Sequence, residues 1–184
     1  TRGPMDYKVF ANTGTQRCYL YTGRHNAEPG KMVYNTVGSA SDKQFTWRLS
    51  TASIDIYKTD LDTGTAPNDF SYTYIHQLDD TQSSSNPMGT AITGMVLGQK
   101  LGGLGTAQQN LFPQSSTYQV EYQALETEIY NCLKNNLANV ARIQWQFNYQ
   151  TSTNKRPYSI SYDVKFIGSS STNYCADRTV YFNN

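Results

Sequence analysis

Charge is scarce in this chain. Asp, Glu, Lys and Arg make up 16% of its 184 residues and balance to a net charge of +1. No overall basic excess exists to draw the protein onto nucleic acid or an anionic membrane. Long apolar runs are lacking as well. None approaches the ~20 residues that a bilayer-spanning helix requires, so no membrane span is expected. Histidine is down to two, His25 and His76, which leaves few side chains for proton transfer near neutral pH. There are three cysteines, Cys18, Cys132 and Cys175, and their spacing does not resemble a zinc site. An odd count cannot pair fully within one chain. One disulfide with one thiol left over is the expectation for a secreted protein, and three buried thiols is the alternative.

What is abundant is uncharged polarity. Fifteen tyrosines accompany many Ser, Thr, Asn and Gln residues, a composition typical of extracellular β-rich proteins. The N-terminus, Thr1-Arg2-Gly3-Pro4, is neither a signal peptide nor an initiator methionine; a mature chain left after processing begins this way, and so does a trimmed one. No internal repeat or domain linker interrupts the chain, and its length suits a single domain, 1–184, with a sizeable core. The charges are unevenly spread. Residues 61–133 carry one base, Lys100, against seven acids, whereas residues 1–60 carry eight bases and five acids and residues 134–184 six bases and two acids. A phosphodiester would be repelled by the middle third unless metal or the flanking segments compensate.

β-prone runs predict strands at 18–22, 32–37 and 70–76, and period-two alternation predicts strands at 45–49 and 52–58. The polar stretch 77–89, with Asp79-Asp80 and Ser83-Ser84-Ser85-Asn86-Pro87, predicts an exposed loop. From Thr117 the period changes. Val120, Ala124, Leu125, Ile129, Cys132, Leu133, Leu137 and Val140 recur at helical spacing, and Ser116 with Gln119 fits a capping box, so a helix is expected over about 117–138. After it, Ile143, Trp145, Phe147 and Tyr149 alternate with polar residues, as do Tyr158, Ile160, Tyr162, Val164 and Phe166, which predicts a hairpin. A last short strand falls near 179–182. The expected class is α+β: a twisted antiparallel sheet with one main helix against it.

The stretch from Thr93 to Glu126 is ordered as strand, glycine-dense turn, strand, helix. It contains Leu101-Gly102-Gly103, Gly105-Thr106, Asn110-Leu111-Phe112-Pro113-Gln114 and Tyr122-Gln123-Ala124-Leu125-Glu126, and Arg156-Pro157 follows before a strand. In this order the segments resemble the DNA/RNA non-specific endonuclease family, whose fold is the ββα-metal nuclease. The resemblance implies a groove with a histidine base, a metal-ligating Asn and a helix Glu. Counting back from Leu101-Gly102-Gly103, the base position falls on Met95, whose thioether cannot take a proton as imidazole does. The preceding Asp-Arg falls on Ile92-Thr93, and only Gly94 remains. The metal-ligating Asn falls on Tyr118 or Gln119. Asn110 and Glu126 match supporting positions.

The motif-equivalent residues are therefore Met95, Asn110 and Glu126, with Asn110 and Gln119 as the weak candidates for a metal. No cofactor is expected, and Mg²⁺ is the alternative if the site is active. His25 and His76 read as turn or surface residues. Arg142, Lys155, Arg156 and Lys165 form the best basic cluster, and the first three are the candidates for nucleic-acid contact. The first expectation is a secreted pseudo-nuclease that binds a macromolecular partner, protein or cell surface, in an effector or toxin-like role. A divergent metal-dependent endonuclease is the second, and a carbohydrate- or cell-surface-binding module on the tyrosine-rich sheet is the third.

Overall fold

The structure is a computed structural model that describes residues 14–25, 28–37, 46–78, 90–169 and 175–184. A six-stranded antiparallel sheet runs in the order β1-β2-β3-β6-β7-β8. Its strands are β1 Thr15–Leu20, β2 Gly30–Val37, β3 Thr46–Tyr57, β6 Val140–Asn148, β7 Ser159–Ile167 and β8 Arg178–Asn183. Between the adjacent strands β3 and β6 the chain makes one long excursion. It holds helix α1 Asp69–Gln77, the two-stranded sheet β4 Ala91–Met95 and β5 Leu111–Ser115, and helix α2 Ser116–Lys134. The expected α+β class and the strand, turn, strand, helix order are what the chain adopts.

Alternation builds the core. On β6, Ala141, Ile143, Trp145 and Phe147 are buried while Arg142, Gln144 and Gln146 face water. Opposite them on β7 lie Phe166, Val164, Tyr162 and Ile160, in register. Successive strand side chains point to opposite faces, so β6 and β7 together present one apolar face. Tyr122, Leu125, Ile129, Cys132 and Leu133 of α2 join the same buried cluster. Edge-to-face rings knit it: Tyr122 lies 5.2 Å from Tyr162, and Trp145 5.2 Å from Tyr162. Such pairs add about 0.5–1.5 kcal/mol beyond area burial.

Several expectations require correction. Residues 70–76 form α1 rather than a strand. Asn68 Oδ1 accepts from the Ser71 amide and Ser71 Oγ accepts from the Asn68 amide, a reciprocal cap that starts a helix. The alternating aromatics were misleading, because Phe70 and Tyr72 are 60% and 50% exposed while Ser71 and Ile75, four apart, are buried. The two expected strands at 45–49 and 52–58 are one strand, β3. Helix α2 ends at Lys134, four residues short of expectation, and Val140 already belongs to β6. Its N-cap is Ser115, with no side-chain bond, so the Ser116–Gln119 box does not form. Val120 and Ala124, expected on the apolar face, are exposed. Most of the loop expected at 77–89, with Asp79-Asp80, lies outside the described residues.

The expected hairpin is present as β6 and β7. Asn184 closes the structure behind it: its Nδ2 donates to Pro113 O and Pro157 O, and its Oδ1 accepts from the Ser115 amide. Cys132 and Cys175 form the disulfide, which ties α2 to the segment before β8 across 43 residues of sequence. Cys18 stands outside that bond, buried on β1. Replacing Cys132 and Cys175 together by alanine should lower the unfolding free energy by about 2–4 kcal/mol. Urea unfolding measures this, and an unchanged midpoint would contradict it.

Candidate functional site

The loop between β4 and β5, residues 96–110, is held by backbone bonds to Gly23, Asp62 and Thr65 and by side chains. Asn110 makes several of the side-chain ties. Fully buried, it accepts at Oδ1 from the Leu97 amide (2.9 Å) and donates from Nδ2 to Leu97 O (2.9 Å) and Leu104 O (3.3 Å). Its own carbonyl accepts from the Val96 amide at 2.8 Å. Tyr122 Oη of α2 donates to Val96 O at 2.7 Å. Both ends of the loop are thus anchored to groups that cannot leave without stranding buried polar atoms. Gly102, at φ 98, ends the turn Gln99–Leu101 in the left-handed region that a side chain disfavours.

One buried acid lies where α2, this loop and the main sheet meet. Glu126, 4% exposed, accepts at Oε2 from the Gly98 amide and from Tyr162 Oη, each at 3.0 Å. A Cβ at Gly98 would sit 2.2 Å from Glu126 Oε1, so any side chain there would displace the Glu126 carboxyl. Burial disfavours the charged carboxylate and pushes its pKa up to about 8, against the opposing pull of the Gly98 and Tyr162 hydrogen bonds. The acid is therefore protonated at neutral pH. Tyr122 and Tyr162 beside it are held well above the usual phenol range, by burial first and by the Glu126 carboxyl next.

Between β4, β5 and the exposed side of α2 opens a groove of about 510 Å³. Thr93 and Met95 of β4, Gln114 of β5, and Gln119, Val120, Gln123 and Glu126 of α2 line it. Gly98, Lys100 and Tyr72 stand along it as well. Met95, at the base-equivalent position, is half-buried and packs with Tyr74 on the small cluster of Ile75, Ala91 and Leu111. Gln119 Nε2 donates to Thr93 O and to Gln114 Oε1, both at 3.0 Å. Met95, Gln119 and Glu126 are therefore brought together in the groove, with Asn110 behind its wall.

The expected basic cluster does not converge. Arg142 pairs with Asp55 on the solvent face of the sheet, at 2.9 and 3.1 Å, with Lys165 as its cross-strand neighbour. Lys155 and Arg156 sit beyond the opposite end of the hairpin, some six residues away along β6, about 20 Å at strand rise. Arg156 donates to Thr90 Oγ1 there. None of these four lines the groove; Lys100 does. His25, at φ 54 in the turn after β1, and His76, in the last turn of α1, do not line it either.

No protein-family model matches the chain, and no curated protein is similar to it in sequence. The site is therefore read on its own chemistry. The residues aligned with a metal site do not fit Mg²⁺, a hard cation that takes oxygen ligands in strict octahedral geometry. Both amide atoms of Asn110 are committed to backbone, and Gln119, whose Nε2 is held by Thr93 O and Gln114 Oε1, offers a single oxygen where an octahedral cation needs several. Sequence reasoning missed Thr93, Gln114, Tyr72 and Lys100 as groove residues, because only the β4–β5 pairing and the position of α1 bring them to one place. It also missed Asp60, a fully buried carboxylate that accepts from Thr22 Oγ1, Arg24 Nε and the Tyr57 amide, each at 2.8 Å. Its charge pair with Arg24 fixes the turn behind Gly102, whose carbonyl accepts from Gly23.

A pH dependence follows from Glu126. Unfolded, its carboxyl loses the proton near the ordinary 4.5; folded, it holds it to about 8. Between those values folding must take up a proton, so the Glu126 contribution to stability is greatest below about 4.5, falls as pH rises at roughly 1 kcal/mol per pH unit, and levels off above about 8. Glu126→Gln keeps the acceptor and cannot ionise. Chemical unfolding of both proteins from pH 5 to 8 should show the variant gaining steadily on the wild type, and a difference that stays constant across that range contradicts the assignment.

Proposed function

We propose that the protein is a secreted, nuclease-like scaffold that binds a macromolecular partner through its groove without cutting it, in an effector or toxin-like role. The observation that carries this reading is Met95, whose thioether packs on Ile75 and Leu111 at the position where the resembled family has its general base. A thioether neither takes a proton from water nor releases one to a leaving group. Asn110 supports the same reading, since its side chain is spent on the loop backbone. The groove's charge supports it too: Lys100 alone among its described lining residues is basic, and that ammonium already donates to Thr127 Oγ1 at 3.3 Å. The Cys132–Cys175 disulfide fits an oxidising, extracellular setting. Among the described residues no helix is long and apolar enough to cross a membrane.

A second reading rests on Glu126. A buried acid with a raised pKa in a cleft is a frequent catalytic device, so a divergent endonuclease using Glu126 in place of the missing base is the competing account. Digestion of supercoiled plasmid and of total RNA by the purified protein decides between them, with Mg²⁺, Mn²⁺ or EDTA present. The binding scaffold leaves both substrates as intact with metal as with EDTA. Metal-dependent cleavage that disappears in Glu126→Gln makes the protein an enzyme and overturns the proposal.

A further inference from the structure

The groove's polar atoms come in both senses, and Lys100 is the one basic side chain among its described lining residues. Gln119 Nε2 is spent on Thr93 O and Gln114 Oε1, which fixes both amides in one orientation. That leaves Gln119 Oε1 as an acceptor and Gln114 Nε2 as a donor toward other partners. Thr93, only 9% exposed, has a hydroxyl with no hydrogen-bond partner among the described residues. A buried hydroxyl of this kind is costly while unsatisfied. Glu126 uses Oε2 for Gly98 and Tyr162, which leaves Oε1 for a further partner. Around these four groups the groove presents Tyr72, half exposed, and Val120, 71% exposed, beside the polar side chains of Gln99, Lys100, Gln123 and Thr127.

We propose that this groove binds a neutral saccharide, whose hydroxyls bond to Thr93, Gln114, Gln119 and Glu126 while its C–H face lies on Tyr72. The inference rests on the groove being a binding surface rather than a nuclease site. Sugar hydroxyls both donate and accept, which matches a set of mixed sense with no net charge. A volume of about 510 Å³ falls within the usual span of small-ligand sites. Aromatic rings offer large, rigid apolar faces at binding sites. A phosphodiester matches poorly, because affinity for it comes from several cations, and Lys100 is already engaged with Thr127 and lies 6.0 Å from the Tyr130 ring.

The test is a ¹⁵N-NMR titration of the intact protein at neutral pH with N,N′-diacetylchitobiose, mannobiose and lactose, and with the dinucleotide pTpT as the anionic probe. At least one neutral disaccharide should shift the backbone amide of Thr93 and the side-chain amides of Gln114 and Gln119 in a saturable way, and pTpT should not. Tyr72→Ala, at an exposed position that the fold does not need, should weaken that binding roughly tenfold, equivalent to about 1.4 kcal/mol. Gln119→Leu should do the same or more, and the spectrum of each variant reports whether it is folded. Absence of groove shifts with all three disaccharides overturns the inference, as do shifts confined to the outer sheet face or produced by pTpT alone. Such a failure leaves the binding-scaffold reading standing if nucleic acid stays uncut, whereas metal-dependent cleavage removes that reading whatever the sugars do.

Discussion

A single carboxyl group joins the three parts of this molecule. Glu126 projects from α2, takes a hydrogen bond from the Gly98 loop and another from Tyr162 of the main sheet, and does so almost out of reach of water. An ionised carboxylate would be costly there, so the group is neutral, and its neutrality lets it sit against two tyrosines and the aromatic core. The loop it holds is also fixed by Asn110 from behind and by Tyr122 from the side. Hydrophobic packing of α2 on the sheet supplies the bulk of the stability. These polar ties set where the loop stands relative to the helix, and hence the shape of the groove.

The same ties bear on the residues that the resemblance aligns with a nuclease site. Asn110 is a backbone surrogate inside the loop, and Glu126 is a buried acid with its proton kept. Met95 has joined the apolar cluster under α1. What remains facing the groove is a row of amides and hydroxyls with exposed apolar neighbours. That surface is suited to a ligand recognised by direction of hydrogen bonding and shape. The acidic balance of residues 61–133 points the same way, since it discourages a polyanion.

Much of the fold was legible where side chains obey one period for long enough. The hairpin β6–β7 alternates without interruption, and α2 shows a helical face, because each packs one side on the sheet core. Helix α1 was not legible by period: Phe70, Tyr72 and Tyr74 imitate a strand, and the deciding signal was the Asn68–Ser71 cap, a local polar contact. The end of α2 was overestimated because Leu137 and Val140 continue its spacing by coincidence while belonging to the turn and to β6. At the site, Asn110, Gln119 and Glu126 could be found from their order along the chain. Thr93, Gln114 and Tyr72 could not, since their proximity arises from antiparallel pairing and from the packing of α1. The basic residues show the converse. Arg142 and Arg156 are close in sequence, yet the hairpin places them at opposite ends.

The central claim is that a neutral Glu126 organises helix, loop and sheet, and its protonation can be read directly. With ¹³C-labelled glutamate, the side-chain carboxyl resonance of Glu126 is followed from pH 4 to 9 in the folded protein and assigned by its loss in Glu126→Gln. The account predicts a midpoint near 8, with the resonance at its protonated position throughout the acidic and neutral range. A midpoint near the ordinary 4.5 would mean that the carboxylate is charged at the groove, and would contradict both the organising role of the neutral acid and the uncharged groove built on it.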